Sequence, residues 1–364
     1  MKVALLTMQR GINYGSFLQA YALKKIIEEF GVEVEFVDIK QGVPLLPKYK
    51  LWLPRLIRNF KRVFKYHYHL FDIYHWNKSR TAAIAGAGSR YLGFKKGQYN
   101  YSNDYDIVFI GSDEVFNCTD IENGFRPQLL GEGFSCSKLI SYAASCGYTN
   151  LQRIHAFGLE ERVRFLLNRF DFLSVRDDNT YNVVSHFVSN KTIIRSLDPV
   201  LIYSFSNLYC EVPPLTDYIV VFSYFDRIAN KKNEIDAIKK FAHLRKKKIV
   251  SIYGYFTWAD YNLTPDPFEL LRYFRYADYV FTDTFHGTLF SIKMNRPFVT
   301  FVRKANHDKL YYVLERFSLT SRSITDLSTI ENVMDTDIDY VAINKIIEEE
   351  IALSKQYLKS SLYA

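Results

Sequence analysis

Short apolar runs alternate with amphipathic helical patterns along most of this chain, and most of the runs stop at a polar cluster. That alternation requires parallel sheets covered by helices, because parallel neighbours need a crossover and the helix supplies it. Lys2–Met8 reads as a strand, Gln9–Gly15 as a loop, and about Ser16–Phe30 as a helix stopped by Gly31. Glu33–Ile39, Ile107–Gly111, Leu139–Ala144 and Phe172–Val175 read as further strands, with helices near Ile154–Asn168 and from about Asp178. Asp198–Thr216, with Pro199, Pro213 and Pro214, reads as a linker. The alternation then restarts. Strands are expected at Tyr218–Tyr224, Lys248–Tyr255, Tyr279–Thr282 and Phe298–Val302. Helices are expected at Asn230–Arg245, Pro267–Tyr276, about Thr288–Asn295 and about Val341–Tyr357. The expected fold is therefore α/β, with two Rossmann-like domains facing across a cleft. The boundaries are 1–205 for the first domain and 206–364 for the second, whose last helix crosses back. At 364 residues the length suits two domains.

The formal net charge of +8 sits in one segment. Residues 41–80 carry nine basic residues (Lys48, Lys50, Arg55, Arg58, Lys61, Arg62, Lys65, Lys78 and Arg80) against one acid, Asp72; the remainder of the chain is balanced. A basic body suited to nucleic acid is thereby excluded. Leu53, Leu56, Ile57, Phe60, Val63, Phe64, Leu70 and Phe71 recur at helical spacing opposite the basic side, between Trp52 and Trp76. Such a basic helical insert in the first domain either packs on the protein or rests on an anionic membrane face. His67 and His69 stand two apart and have no partner of metal-site type. Cys118, Cys136, Cys146 and Cys210 form no CxxC pair and read as reduced thiols. Val3–Met8 is too short for a signal-peptide core and no apolar stretch reaches 18 residues, so a cytoplasmic protein is expected, peripheral at the inner membrane face if the insert docks there.

P-loop, Rossmann fingerprint, GxSxG and HExxH motifs are absent. What remains is polar clusters at strand ends, where ligands sit in open α/β sheets. Thr282-Asp283-Thr284-Phe285-His286-Gly287-Thr288 joins a strand to a helix whose first N–H groups suit an anion, with His286 beside it; the bland alternative is a helix cap and a histidine satisfying a carbonyl. Arg176, in Ser174-Val175-Arg176-Asp177-Asp178, either forks onto a carboxylate or phosphate or pairs with Asp177 or Asp178. Asp113, in Gly111-Ser112-Asp113-Glu114, either binds sugar hydroxyls, acts as a base or caps the next helix. Asn13-Tyr14-Gly15-Ser16 is a ligand loop or a tight turn. Arg296, Arg303 and Lys304 flank the strand after the His286 helix and add positive potential or are surface charges. Cys146 reads as structural rather than nucleophilic.

In this order the clusters resemble the polysaccharide pyruvyl transferase family. The resemblance is carried by Asn13-Tyr14-Gly15 with Leu18-Gln19-Ala20-Tyr21-Ala22-Leu23, Gly111-Ser112-Asp113, Ser141-Tyr142-Ala143-Ala144-Ser145, Ser174-Val175-Arg176, Asp198-Pro199, and Thr282 to Gly287 with Asn295-Arg296-Pro297-Phe298. Glu114-Val115-Phe116-Asn117 departs from the family's Gln-Val-Trp-Asn, and Thr284 replaces its usual Ser. The resemblance implies a GT-B-like fold and transfer of pyruvyl from phosphoenolpyruvate onto two sugar hydroxyls as a ketal, in capsule or exopolysaccharide assembly. His286, Arg176 and Asp113 are then the expected catalytic residues. Arg176, Thr284, His286, Gly287, Arg296, Arg303 and Lys304 are expected on the donor, and Asn13, Tyr14, Gly15, Ser112, Asp113 and Glu114 on the acceptor. No cofactor and no metal is expected beyond phosphoenolpyruvate as donor; the acceptor is a sugar, with a polyprenyl-linked one fitting a basic insert at a membrane. The rival expectations are a nucleotide-sugar glycosyltransferase and a non-catalytic carbohydrate-binding or scaffold protein of the same assembly.

Overall fold

A computed structural model describes residues 1–47, 50, 52, 56–57, 67–208, 212–228, 231–303 and 306–364. The first lobe holds strands β1 (Val3–Leu6), β2 (Val34–Phe36), β3 (Ile107–Asp113), β4 (Lys138–Ala144), β5 (Leu173–Val175) and β6 (Ile193–Arg195), all parallel, in the order β2-β1-β3-β4-β5-β6. The second holds β7 (Tyr218–Phe222), β8 (Lys248–Ser251), β9 (Tyr261–Asn262), β10 (Tyr279–Thr282) and β11 (Phe298–Thr300), again parallel, in the order β11-β10-β7-β8-β9. Two parallel sheets with helices, as the alternation of runs requires, set the carboxyl ends of both around one cleft.

The helices are α1 (Tyr14–Glu28), α2 (Leu70–Tyr91), α3 (Leu151–Ala156), α4 (Glu160–Leu167), α5 (Asp178–Phe187), α6 (Pro199–Ile202), α7 (Phe225–Ile228), α8 (Lys232–Leu244), α9 (Pro267–Tyr276), α10 (Phe285–Lys293), α11 (His307–Arg316), α12 (Ile330–Asp335) and α13 (Tyr340–Tyr363). The single helix expected at 154–168 is two, broken where Gly158 takes a φ of +63°. The segment expected as a linker from Asp198 begins with a helix instead: Pro199 opens α6, whose four residues are all buried. α10 begins three residues earlier than expected because Thr284 caps it, its Oγ1 accepting from Gly287 N.

α1 is buried on nearly every side, which explains its apolar, small-residue sequence. It joins the lobes. Phe17 and Tyr21 meet Phe268 of α9 edge-on, with ring centroids 5.7 and 5.0 Å apart, and the Tyr14 hydroxyl donates to the Pro265 carbonyl at 2.9 Å. Aromatic pairs of this kind add roughly 0.5–1.5 kcal/mol each beyond their burial, so these rings help hold the seam between lobes. α13 returns to the first lobe, where the Tyr357 hydroxyl donates to the Ser141 carbonyl at 2.8 Å.

Most of the basic amphipathic pattern of residues 53–65 lies outside the described residues. Trp52, Leu56 and Ile57 are exposed, whereas Trp76 is buried on α2 against Tyr255. Arg80 is no part of a solvated basic face; its guanidinium lies over Trp76 and Tyr253. Among the described residues no helix is long and apolar enough to cross a membrane.

Candidate active site

The cleft encloses about 700 Å³ between the carboxyl ends of the two sheets. Asn13, Asp113 and Glu114 line it from the first lobe; Thr284, His286, Arg227 and Lys309 line it from the second.

His286 occupies the first turn of α10, behind the Thr284 cap. The helix start leaves backbone N–H groups without intrahelical partners, and the dipole favours an anion there. His286 is 8% exposed. Its Nε2 is buried without a hydrogen-bond partner and lies 3.7 Å from Oδ2 of Asp198. The face of the ring rests on Gly15: a Cβ there would stand 2.1 Å from Cγ and Nδ1 of His286. Gly287 is equally constrained, since a Cβ would meet Thr282 Oγ1 at 2.2 Å.

Arg176 is 2% exposed and lies beneath the cleft instead of lining it. Its partner is neither Asp177 nor Asp178. Nη1 donates to Asp198 Oδ2 at 2.6 Å, and Nη2 stands 3.7 Å from Asp113 Oδ1. Asp177 instead caps α5 and accepts from Ser145 Oγ, and Asp178 pairs with Arg195. Burial works against ionisation of Asp198, but the His286 ring and the Arg176 guanidinium outweigh it and pull the carboxyl down to about 2. In the sequence Asp198 opens the expected linker and stands in the Asp198-Pro199 pair of the resemblance, with no catalytic or binding role assigned to it.

Asp113 ends β3 with a φ of +73°, an unusual left-handed conformation for a non-glycine residue and the kind of backbone strain that gathers at working sites. It caps no helix. Its Oδ2 accepts from Ser16 Oγ at 2.8 Å. Glu114 reaches across to Lys309 on α11, with Oε1 2.5 Å from Nζ, and that lysine, against the opposing effect of burial, draws the carboxyl down to about 2. Asn13 caps α1 through Oδ1 and donates from Nδ2 to the Tyr224 hydroxyl at 3.2 Å, a second bond across the cleft.

Several expected site residues stand elsewhere. Ser112 is fully buried and donates to Gln19 Oε1 at 2.7 Å, so it orients β3 against α1. Tyr14 is buried in the seam between lobes. Arg296 lies at the opposite end of the second sheet, ahead of β11, where its Nε donates to the Met294 carbonyl. Arg303 forks onto Glu234, at 2.6 Å through each Nη, and braces Asp283 behind the α10 start. Lys304 lies outside the described residues. Among the described residues the Arg and Lys side chains that line the cleft are Arg10, Arg126, Arg227 and Lys309; in sequence they are isolated charges with no motif around them. Burial raises the Cys146 thiol well above its ordinary value, as expected of a structural cysteine.

Among solved structures the chain is similar to the UDP-GlcNAc 2-epimerase of Methanocaldococcus jannaschii in complex with UDP-GlcNAc and UDP, at 10% identity and a TM-score of 0.47 over 96% of this chain and 100% of that one. It is also similar to S. aureus MnaA with UDP, at 11% identity and a TM-score of 0.44 over 93% and 92% of the two chains. The E. coli heptosyltransferase WaaC with ADP gives 11% identity and a TM-score of 0.40 over 96% and 100%. No curated protein matches the sequence. The family model for polysaccharide pyruvyl transferase matches residues 13–304, a span that holds His286, Asp198, Arg176 and Asp113, and the chain belongs to that family.

Proposed function

We propose that this chain transfers the pyruvyl group of phosphoenolpyruvate to two hydroxyls of one sugar, forming a cyclic ketal and releasing phosphate, in the assembly of a capsule or exopolysaccharide. The observation that carries the reading is the series Arg176–Asp198–His286, which ends on the first turn of α10 inside the cleft. A compact donor bearing a carboxylate and a phosphate suits that helix start, with Arg227 and Lys309 nearby.

In this scheme His286 gives a proton to the donor's methylene carbon, and C2 acquires positive charge. One sugar hydroxyl attacks C2, and Asp113 accepts its proton. The second hydroxyl then bonds to C2 as the C2–O bond to phosphate breaks. Overall, one hydroxyl proton is balanced by the new methyl C–H and the other leaves on the phosphate. His286 and Asp113 are the catalytic residues. Arg176 and Asp198 are positioning residues, since they act through the ring and the second carboxylate. Groups fixed in advance in a closed cleft are the chief source of rate in such a scheme.

A melting-shift screen tests the reading. Phosphoenolpyruvate should raise the melting temperature and be consumed with release of phosphate when glycans are added. Protection by UDP- or GDP-sugars, with no response to phosphoenolpyruvate, would instead point to glycosyl transfer.

A further inference from the structure

The cations of the cleft are not equally neutralised. Lys309 is paired with Glu114, and Arg10 takes Asp38 through both Nε and Nη2. Arg227, on the second lobe, donates to the Asp283 carbonyl at 2.9 Å and faces the donor end. Arg126, on the first lobe, is the other weakly partnered guanidinium. Its contact with an acid is Nη2 to Asp120 Oδ2 at 3.5 Å. Asp120 is committed to its own turn, accepting from Glu122 N at 2.9 Å, from Asn123 N at 3.2 Å and from Asn123 Nδ2 at 2.6 Å. Nε of Arg126 is buried with no partner. Burial disfavours the charge on Arg126 and Asp120 offsets this only in part, so a second anion would be welcome.

The stem of Arg126 is closely packed. A Cβ on Gly42 would meet Arg126 Cγ at 2.7 Å and the Asn123 carbonyl at 2.4 Å. Val43 and Phe125 exchange backbone hydrogen bonds of 2.7 and 2.8 Å, which clamps the chain after β2 onto the loop after β3. Arg126 lines the main cleft and also a second hollow of about 420 Å³ formed with Ile39, Gln41, Pro44, Ile121 and Asn123. Every one of these belongs to the first lobe. They follow β2 and β3, on the side of the sheet away from β5 and β6, next to which Arg176 and Asp198 lie.

We propose that Arg126 seats an anionic group carried by the acceptor, a carboxylate or a phosphate on the glycan, and so selects acidic acceptors over neutral ones. That role rests on the pyruvyl-transfer reading for its setting, but the binding it predicts is measurable without phosphoenolpyruvate. Calorimetry on the full chain with methyl glucoside, methyl glucuronoside and glucose 1-phosphate is the test. At least one anionic probe should bind about tenfold more tightly than the neutral one, as for a charge-assisted hydrogen bond, and the preference should shrink with salt. The stronger anion tells carboxylate from phosphate. Arg126→Gln should erase the preference and keep the affinity for phosphoenolpyruvate; Arg126→Lys should keep part of it. Equal binding of all three probes, or a preference that survives Arg126→Gln, overturns the proposal. So does a loss of phosphoenolpyruvate affinity in that variant, which would put Arg126 on the donor. Should Arg126→Gln fail to fold, a wild-type preference insensitive to salt overturns it as well. A chain that ignores phosphoenolpyruvate yet prefers acidic probes through Arg126 would sink the donor reading alone.

Discussion

Oδ2 of Asp198 lies 2.6 Å from Nη1 of Arg176 and 3.7 Å from Nε2 of His286, so one carboxylate oxygen couples a first-lobe guanidinium to a second-lobe imidazole. Asp198→Asn keeps the shape and removes the charge. Its kcat should fall about 100-fold, with a smaller change in KM for phosphoenolpyruvate and a displaced pH profile. Normal kcat and an unmoved profile would leave Asp198 a purely structural residue. Arg176→Ala leaves Asp198 and Asp113 without their shared cation and should cost roughly 3–5 kcal/mol of stability by denaturant unfolding.

Acid stability follows from the two depressed carboxyls. Asp198 goes from an ordinary 3.8 to about 2 on folding, and Glu114 from 4.5 to about 2. Both therefore bind protons more weakly folded than unfolded. Their stabilisation is complete above about pH 4.5 and is lost as the pH falls through about 2. Lys309→Gln should flatten the Glu114 part of that loss, which melting curves across the acid range will register; an unchanged slope would contradict the pairing.

Gly15→Ala separates helix propensity from ring position. Alanine should favour α1 by about 1 kcal/mol, yet its Cβ would fall 2.1 Å from the His286 ring. The ring must move, so activity should drop at least tenfold while melting changes far less than the rate. A fully active Gly15→Ala variant would show that ring placement is not limiting.

Arg296 and Lys309 give opposite expectations. Lys309 lines the cleft and lies 5.7 Å from the Phe285 ring centroid beside the α10 start, so Lys309→Gln should raise KM for phosphoenolpyruvate about tenfold. Arg296 is occupied with carbonyls at the far end of β11, and Arg296→Gln should leave that KM unchanged. Steady-state kinetics on the pair decides.

The basic insert is testable apart from catalysis. Replacing Arg55, Arg58, Lys61, Arg62 and Lys65 by Gln should abolish any co-sedimentation with anionic vesicles, at about 1 kcal/mol per charge, and leave turnover on a soluble glycan intact. Equal sedimentation of both forms would remove the membrane from the account.

The two-sheet architecture was legible because fully buried parallel strands leave continuous apolar runs, as in Tyr218–Phe222. β6 escaped because Ile193–Arg195 is a half-exposed edge strand with no apolar run. His286 and Asp113 could be read since each stands in a polar cluster at a strand end. Asp198 received no role because, ahead of Pro213 and Pro214, the stretch that it opens reads as a linker. Arg227 and Lys309 were hidden because helices α7 and α11 bring them to the cleft from sequence that looks like ordinary charged surface. Arg176 and His286 both face Asp198, so the ligand of Arg176 is a carboxylate of the protein.

The most direct test of pyruvyl transfer is mass spectrometry of a glycan incubated with the enzyme and phosphoenolpyruvate, alongside assay of released phosphate. Ketal addition matching phosphate one for one in the wild type, and lost in His286→Ala, is the predicted result. Phosphate release without a ketal, or a ketal formed at the wild-type rate by His286→Ala, would contradict the account.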